Sequence, residues 1–391
     1  MIKIFFATRY RGVYKHLFNS VHIKAKFLYK KSNVFETESK FSKILICIWK
    51  SKLFDYLGII RNTKCNYECD IYGSMNHFLD VHKPYFISVE NPTALYHYRL
   101  ARKNSFLGKR RINLLINSPY LKALVFWSHA CADTFEEVCA KIPDNCIQRV
   151  IYPYIPANQY ATNKIIEEKS ENTELKLLFI AQGKRFTSKG ALEIIEAFTN
   201  LQTKKYNISL TIITSINEVS GQLINYIKQI DKIKLYDFSF SYTEMEKIYA
   251  EHNILIQVTS NDSFGFTILE AMKGGNAILA SNLYAIPELV KENENGFLTD
   301  PSYRYFNKNN LPNPDIWNDY KKQKKYSNTK CLRIISFLEE KIELLYNNRD
   351  VLKRMSLKSL EIANNSPFDE ITISQQWNDL LSHIKHRNNN K

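Results

Sequence analysis

Two hydrophobic periodicities alternate along this 391-residue chain. Short apolar runs rich in β-branched and aromatic residues read as buried strands. In the first half they are Ile2–Thr8, Cys69–Gly73, Tyr85–Val89, Ala123–Trp127 and Arg149–Tyr152. In the second half they are Leu175–Ala181, Ile208–Ser215, Ile233–Phe238, Ile254–Thr259, Ala277–Ser281 and Phe297–Asp300. Helical patterns lie between them. Leu192, Ile195, Phe198 and Leu201 recur at helical spacing after Gly190, and Met245, Ile248 and Tyr249 follow a cap at Ser241 or Thr243. Alternation of strand and helix predicts an α/β fold of parallel sheets with helices on both faces. The segment Tyr152–Pro156 is stiffened by two prolines and leads into a polar stretch through Glu174, so a domain boundary is expected near 155–173. Residues 307–330, rich in Asn and Lys, read as a surface insertion, with helices predicted near 331–347 and 350–364.

In a doubly wound sheet, ligands bind beyond the carboxyl ends of the strands. After Leu175–Ala181 comes Gln182-Gly183-Lys184-Arg185-Phe186-Thr187-Ser188-Lys189-Gly190, three cations between two glycines. Cations at a helix start run against the macrodipole, and a bound polyanion would resolve that conflict; a solvated basic loop is the alternative. After Ile254–Thr259 comes Ser260-Asn261-Asp262-Ser263-Phe264-Gly265, then a helix from Phe266. Glu270 sits one turn in, among apolar neighbours, where a carboxylate needs a donor partner; a hydroxyl pair of a sugar or ribose is suitable. The Ser263–Phe266 amides at the helix start can receive a phosphate or hydroxyl. Here the plainer alternative is a helix-capping Asp262 and an exposed Glu270.

Taken in order, these blocks resemble the donor domain of retaining GT-B glycosyltransferases, glycosyltransferase family 4, the glycosyl transferases group 1 domain. That family carries G-R-x(4)-K-G, matched by Gly183-Lys184 through Lys189-Gly190. Its E-x(7)-E block is similar to Asp262–Ser281, and its I-P-E-x-V and N-G-x-L to Ile286–Val290 and Asn295–Leu298. The resemblance spans about residues 175–300. It implies two Rossmann-like domains facing a cleft: an acceptor domain at 1–160 and a donor domain at 161–367, with a helix near 368–386 packing back on the first. It further implies that Gly183, Lys184, Arg185 and Lys189 bind the diphosphate of a nucleotide sugar and that Glu270 binds the ribose. Asp262 would face the transferred sugar. Ser263, Phe264, Gly265 and Phe266 would lie near sugar and phosphates, and Phe238 would border the base. Lys189, Asp262 and Glu270 are the residues expected to carry catalysis.

Two departures stand out. Asp262 replaces the usual glutamate and is one methylene shorter. Lys184 replaces arginine and loses a planar two-pronged grip on phosphate, for which Arg185 is the neighbouring compensation. No Asp-x-Asp occurs, so protein cations rather than a divalent metal would stabilise the leaving diphosphate, and no cofactor is expected. The first half resembles the acceptor domain only loosely. Glu90 follows Tyr85–Val89 where the family often has histidine, and His97 lies seven residues on; both are candidates for the acceptor side.

Charge changes the picture for that half. Residues 1–150 hold 24 basic and 11 acidic side chains, the remaining residues 30 and 28. An anionic partner is expected, or else a solvated basic face. No nucleic-acid-binding signature is present, so peripheral contact with an anionic membrane, suited to a glycan or lipid-linked acceptor, fits better. Seven scattered cysteines and an N-terminal run unlike a secretory signal predict a reduced, cytoplasmic protein. The resemblance implies hexosyl transfer in bacterial surface polysaccharide or lipopolysaccharide synthesis. A nucleotide-sugar epimerase, or a non-catalytic basic binder of nucleotide sugar or membrane, are the rival readings.

Overall fold

A computed structural model describes residues 1–29, 49 and 51–389; one of the seven cysteines, Cys47, lies outside these. The chain forms two compact units, one of residues 1–156, 310–314 and 367–391, the other of 157–309 and 315–366.

The strands are β1 (Ile2–Phe6), β2 (Ala25–Tyr29), β3 (Asn62–Lys64), β4 (Ile71–Met75), β5 (Phe78–Asp80), β6 (Tyr85–Val89), β7 (Leu121–Phe126) and β8 (Ile147–Val150) in the first unit. Six form a parallel sheet in the order β2-β1-β4-β6-β7-β8, and β3 pairs with β5. Three strands start two residues away from the expected positions, β4 at Ile71 rather than Cys69, β7 at Leu121 rather than Ala123 and β8 at Ile147 rather than Arg149. The unexpected edge strand β2 alternates lysine with apolar residues and has little run of its own; pairing with β1 from Ile2↔Ala25 to Phe6↔Tyr29 makes it a strand. The helix Glu370–Asn389 belongs to this unit: Trp377 packs its ring against Phe86 (5.2 Å), and Asn378 accepts from the Lys24 amide (2.8 Å).

The second unit holds β9 (Leu175–Ala181), β10 (Ile208–Thr214), β11 (Ile233–Asp237), β12 (Ile254–Gln257), β13 (Ala277–Ser281) and β14 (Gly296–Thr299). All are parallel, in the order β11-β10-β9-β12-β13-β14. The central strands are buried almost throughout, which is why they read as unbroken apolar runs. The helix Ala191–Thr203 buries Ile194, Ile195, Phe198 and Leu201 on the sheet, while Leu192 is only partly covered. Ser241 caps the helix Tyr242–Glu251 in a reciprocal capping box with Glu244.

Two expectations need correction. The polar stretch after Pro156 contains the helix Asn163–Glu171, capped by Thr162, whose only buried apolar residue is Ile166. One apolar residue gives no period to read. Residues 307–330 are not merely surface: Ile316 and Trp317 are buried, and the Trp317 ring packs against Tyr305 (4.1 Å) and Phe306 (5.1 Å).

Strand order reverses between β9 and β12, so the loops that follow these strands run side by side. The Ser260 amide donates to the Ser188 carbonyl (3.0 Å). Gly190 adopts φ +93°, and a Cβ there would stand 2.4 Å from Val258 Cγ2. Gly190→Ala is therefore expected to cost about 1–3 kcal/mol through backbone strain and overpacking. Denaturant unfolding of the two proteins measures it.

Candidate functional site

The loop after β9 is built from two short turns, Gly183–Arg185 and Thr187–Lys189, ending at Gly190, which opens the next helix. Gly183 is required by close approach: a Cβ would lie 2.4 Å from the Ser215 carbonyl oxygen. Lys184 stands on the rim, 81% exposed, and pairs with Glu218 at 3.3 Å. Arg185 is exposed, and its charge acts on Asp262.

Lys189 turns inward. Its Nζ donates to Oδ2 of Asp262 at 2.5 Å, and the two side chains are 10% and 18% exposed. The other oxygen of Asp262, Oδ1, accepts from the backbone amides of Phe264 (3.1 Å) and Gly265 (2.9 Å). Burial would raise the Asp262 carboxyl; the Lys189 ammonium and the Phe264 amide outweigh it and hold the group below its ordinary value. Asp262 thus closes a turn just ahead of the helix that starts at Phe266, its short side chain folded back on the residues two and three ahead, the second of which, Gly265, is the helix N-cap.

Glu270 lies on the helix Phe266–Lys273, and its Oε2 accepts from the Tyr249 hydroxyl at 2.8 Å. Burial pushes its carboxyl up to about 7, with the Tyr249 hydrogen bond opposing. Phe264 is buried with its ring 5.1 Å from Phe266, and Ser263 is half-buried. Phe238, just after β11, is 54% exposed.

The structure therefore brings Lys189, Asp262, Phe264 and Gly265 into one hydrogen-bonded group. Of the Ser263–Phe266 amides, those of Phe264 and Gly265 are engaged by Asp262. The structure also turns Asp262 toward Lys189 and its own turn. Tyr249, which orients Glu270, and Glu218, which holds Lys184, were not recognised in the sequence. Tyr249 was read only as a helical apolar position, and nothing local marks Glu218.

In the first unit, Glu90 is buried at the end of β6, with Oε2 accepting from Arg11 (2.8 and 3.2 Å) and Oε1 from the Tyr98 hydroxyl. His97 is held by its neighbours. Its Nε2 accepts from the Arg61 amide (2.9 Å), its ring lies against Trp49 and His77, and burial lowers it to about 3. Among the described residues, no three His, Cys, Asp or Glu side chains are grouped to hold a metal ion.

Residues 162–306, which include both turns, match the family described as glycosyl transferases group 1. No curated protein matches the chain in sequence. Among solved structures it is similar to Anabaena Alr3699/HepE in complex with UDP and glucose, at 15% identity and TM-score 0.59, covering 98% of this chain and 100% of that one. The same Anabaena protein in complex with UDP gives 14% identity and TM-score 0.62 over 98% and 100%. A glycosyltransferase from Rickettsia africae ESF-5 gives 16% identity and TM-score 0.55 over 92% and 85%. At these identities the likeness establishes the fold, and with the family match it defines the class: a GT-B glycosyltransferase. The glycosyl transferases group 1 domain is the part that carries the buried lysine and both carboxylates.

The pair makes a stability prediction. Lys189→Met leaves the Asp262 charge buried without its cation and is expected to destabilise by about 3 kcal/mol. Adding Asp262→Asn removes that charge while its carbonyl still accepts from the two amides, so the double variant recovers most of the loss in chemical denaturation. A single variant as stable as the parent would contradict the buried pairing.

Proposed function

We propose that this glycosyltransferase moves a hexose-type sugar from a nucleotide-sugar donor to a glycan or lipid-linked acceptor with retention of configuration. The second unit binds the donor and the first the acceptor. The observation that carries the reading is Lys189, a buried cation between the loops after β9 and β12, in the turn whose family counterpart binds the donor diphosphate. Its partner Asp262 is an anion already seated where cation and backbone amides converge, and a diphosphate oxygen has the chemistry to compete for the same donors.

Negative charge grows on the leaving diphosphate as the sugar becomes oxocarbenium-like. Fixed cations placed there lower the barrier without reorganisation. Lys189 supplies one from the inner wall, and Lys184 and Arg185 are exposed and can swing to the phosphates. No divalent metal is required on this reading. With no protein nucleophile, the leaving phosphate takes the proton of the acceptor hydroxyl. Glu270 receives the ribose hydroxyls. The Anabaena protein was crystallised with UDP and with UDP-glucose, which supports a uridine nucleotide as the first donor to try.

We expect the enzyme to work in the cytoplasm at the inner face of a membrane, in surface polysaccharide or lipopolysaccharide assembly. The surface of the first unit supports this. Leu53, Tyr56, Phe106, Leu107 and Leu114 are exposed on the helices Lys52–Tyr56 and Phe106–Ile116, with Phe106 at 77%. Beside them Lys109, Arg110 and Arg111 are exposed, whereas Arg99 and Arg102 turn inward to Asp55. Apolar side chains flanked by cations suit an anionic bilayer, at about 1 kcal/mol for each lysine or arginine near the surface.

Two outcomes are expected. In transfer assays with UDP-sugars run in EDTA, the Lys189→Met/Asp262→Asn protein should be slower by about 10²–10³-fold. Rates near the parent's would remove the phosphate role of Lys189. In co-sedimentation, the protein should bind vesicles containing phosphatidylglycerol and not phosphatidylcholine alone, and Phe106→Glu with Arg110→Glu should release it. Equal recovery on both vesicle types would rule the contact out.

A further inference from the structure

Tyr249 lies on the helix Tyr242–Glu251 and is 4% exposed, with its hydroxyl on Oε2 of Glu270. The close approach of this helix depends on Gly274, where a Cβ would stand 2.5 Å from the Tyr249 Cβ. The Gly274 amide itself donates to the Glu270 carbonyl (3.1 Å), so the backbone that carries Glu270 and the ring that orients it are locked together. Among the described residues no donor lies on Oε1 of Glu270, which is not sealed from solvent.

We propose that Tyr249 is a positioning residue: its phenol fixes one oxygen of Glu270 so that the other is presented, in a single orientation, to the hydroxyls of the donor nucleoside. This rests on the donor site proposed above. An unheld glutamate would sample several rotamers and lose part of its ordering advantage on binding. The phenol also acts on the charge state. Burial favours the protonated carboxyl, the hydrogen bond from Tyr249 favours the carboxylate, and a carboxylate is the form that accepts from two hydroxyls.

The other groups around Glu270 give no substitute. On the same helix as Tyr249, Tyr242 is coupled electrostatically to Glu270 and Glu246 and carries no positive charge. Lys273, on the helix of Glu270, donates to Asn364 (3.3 Å) on the helix Arg349–Asn364. On that third helix Lys358 and Glu361 pair with each other (2.8 Å). The adjacent strands β12 and β13 contain no titratable side chain.

The test is calorimetric titration of UDP into the full-length protein between pH 5.5 and 8.5, for the parent, Tyr249→Phe and Glu270→Gln. The parent should bind more tightly as pH rises through about 7, where Glu270 ionises. Tyr249→Phe keeps the ring and so the packing. It should bind about tenfold more weakly at neutral pH, the scale of a hydrogen bond to a charged group. Its titration midpoint should move to higher pH, a change that loss of packing alone would not produce. Glu270→Gln should bind weakly at every pH. If Tyr249→Phe follows the parent in affinity and midpoint while Glu270→Gln is weakened, the positioning role is wrong and the donor site stands. If Glu270→Gln also follows the parent, the nucleoside assignment of Glu270 itself fails. Far-UV circular dichroism of each variant establishes that it is folded.

Discussion

The organisation of the second unit turns on one buried ion pair, Lys189 with Asp262. A lysine this enclosed needs hydrogen-bond acceptors around its ammonium, and the strand order brings an anion to this one. Because the sheet reverses direction between β9 and β12, the basic turn after one strand meets the acidic turn after the other. Gly190 allows the contact by giving up its side chain against Val258. Two backbone amides complete the coordination of Asp262. The result is a convergence of fixed positive charge in a place from which water is largely excluded, which is what stabilisation of a departing diphosphate requires.

Glu270 is organised by the opposite balance. Among the described residues no cation pairs with it; a phenol holds it, and burial leaves it near the point of ionisation at neutral pH. One carboxylate of the motif is thus kept charged by Lys189 and the other is left poised. The difference follows from their surroundings and not from their spacing in the chain.

Much of this unit was legible in the sequence. Leu175–Ala181 and Ala277–Ser281 are strands at the residues the apolar runs mark, because strands buried on both faces stand out as unbroken apolar runs. The Gly183–Gly190 and Asp262–Glu270 spacings located both turns. What the sequence could not display was direction: whether Asp262 reaches outward or folds back is decided by hydrogen bonds to residues two and three ahead and by a lysine 73 positions away. Tyr249 was hidden for a related reason, since a tyrosine at a helical core position looks the same whether its hydroxyl has a task or not. The first unit was harder to read. Edge strand β2 has only a short apolar run, Phe27–Tyr29, and nothing in the sequence shows that the His97 ring accepts from the Arg61 amide.

The most direct measurement of the account is a crystal structure of the protein with its nucleoside diphosphate bound. The account predicts a phosphate oxygen within hydrogen-bond reach of Lys189 Nζ and the ribose hydroxyls on Glu270. A diphosphate bound away from the 183–190 and 262–270 turns would contradict it.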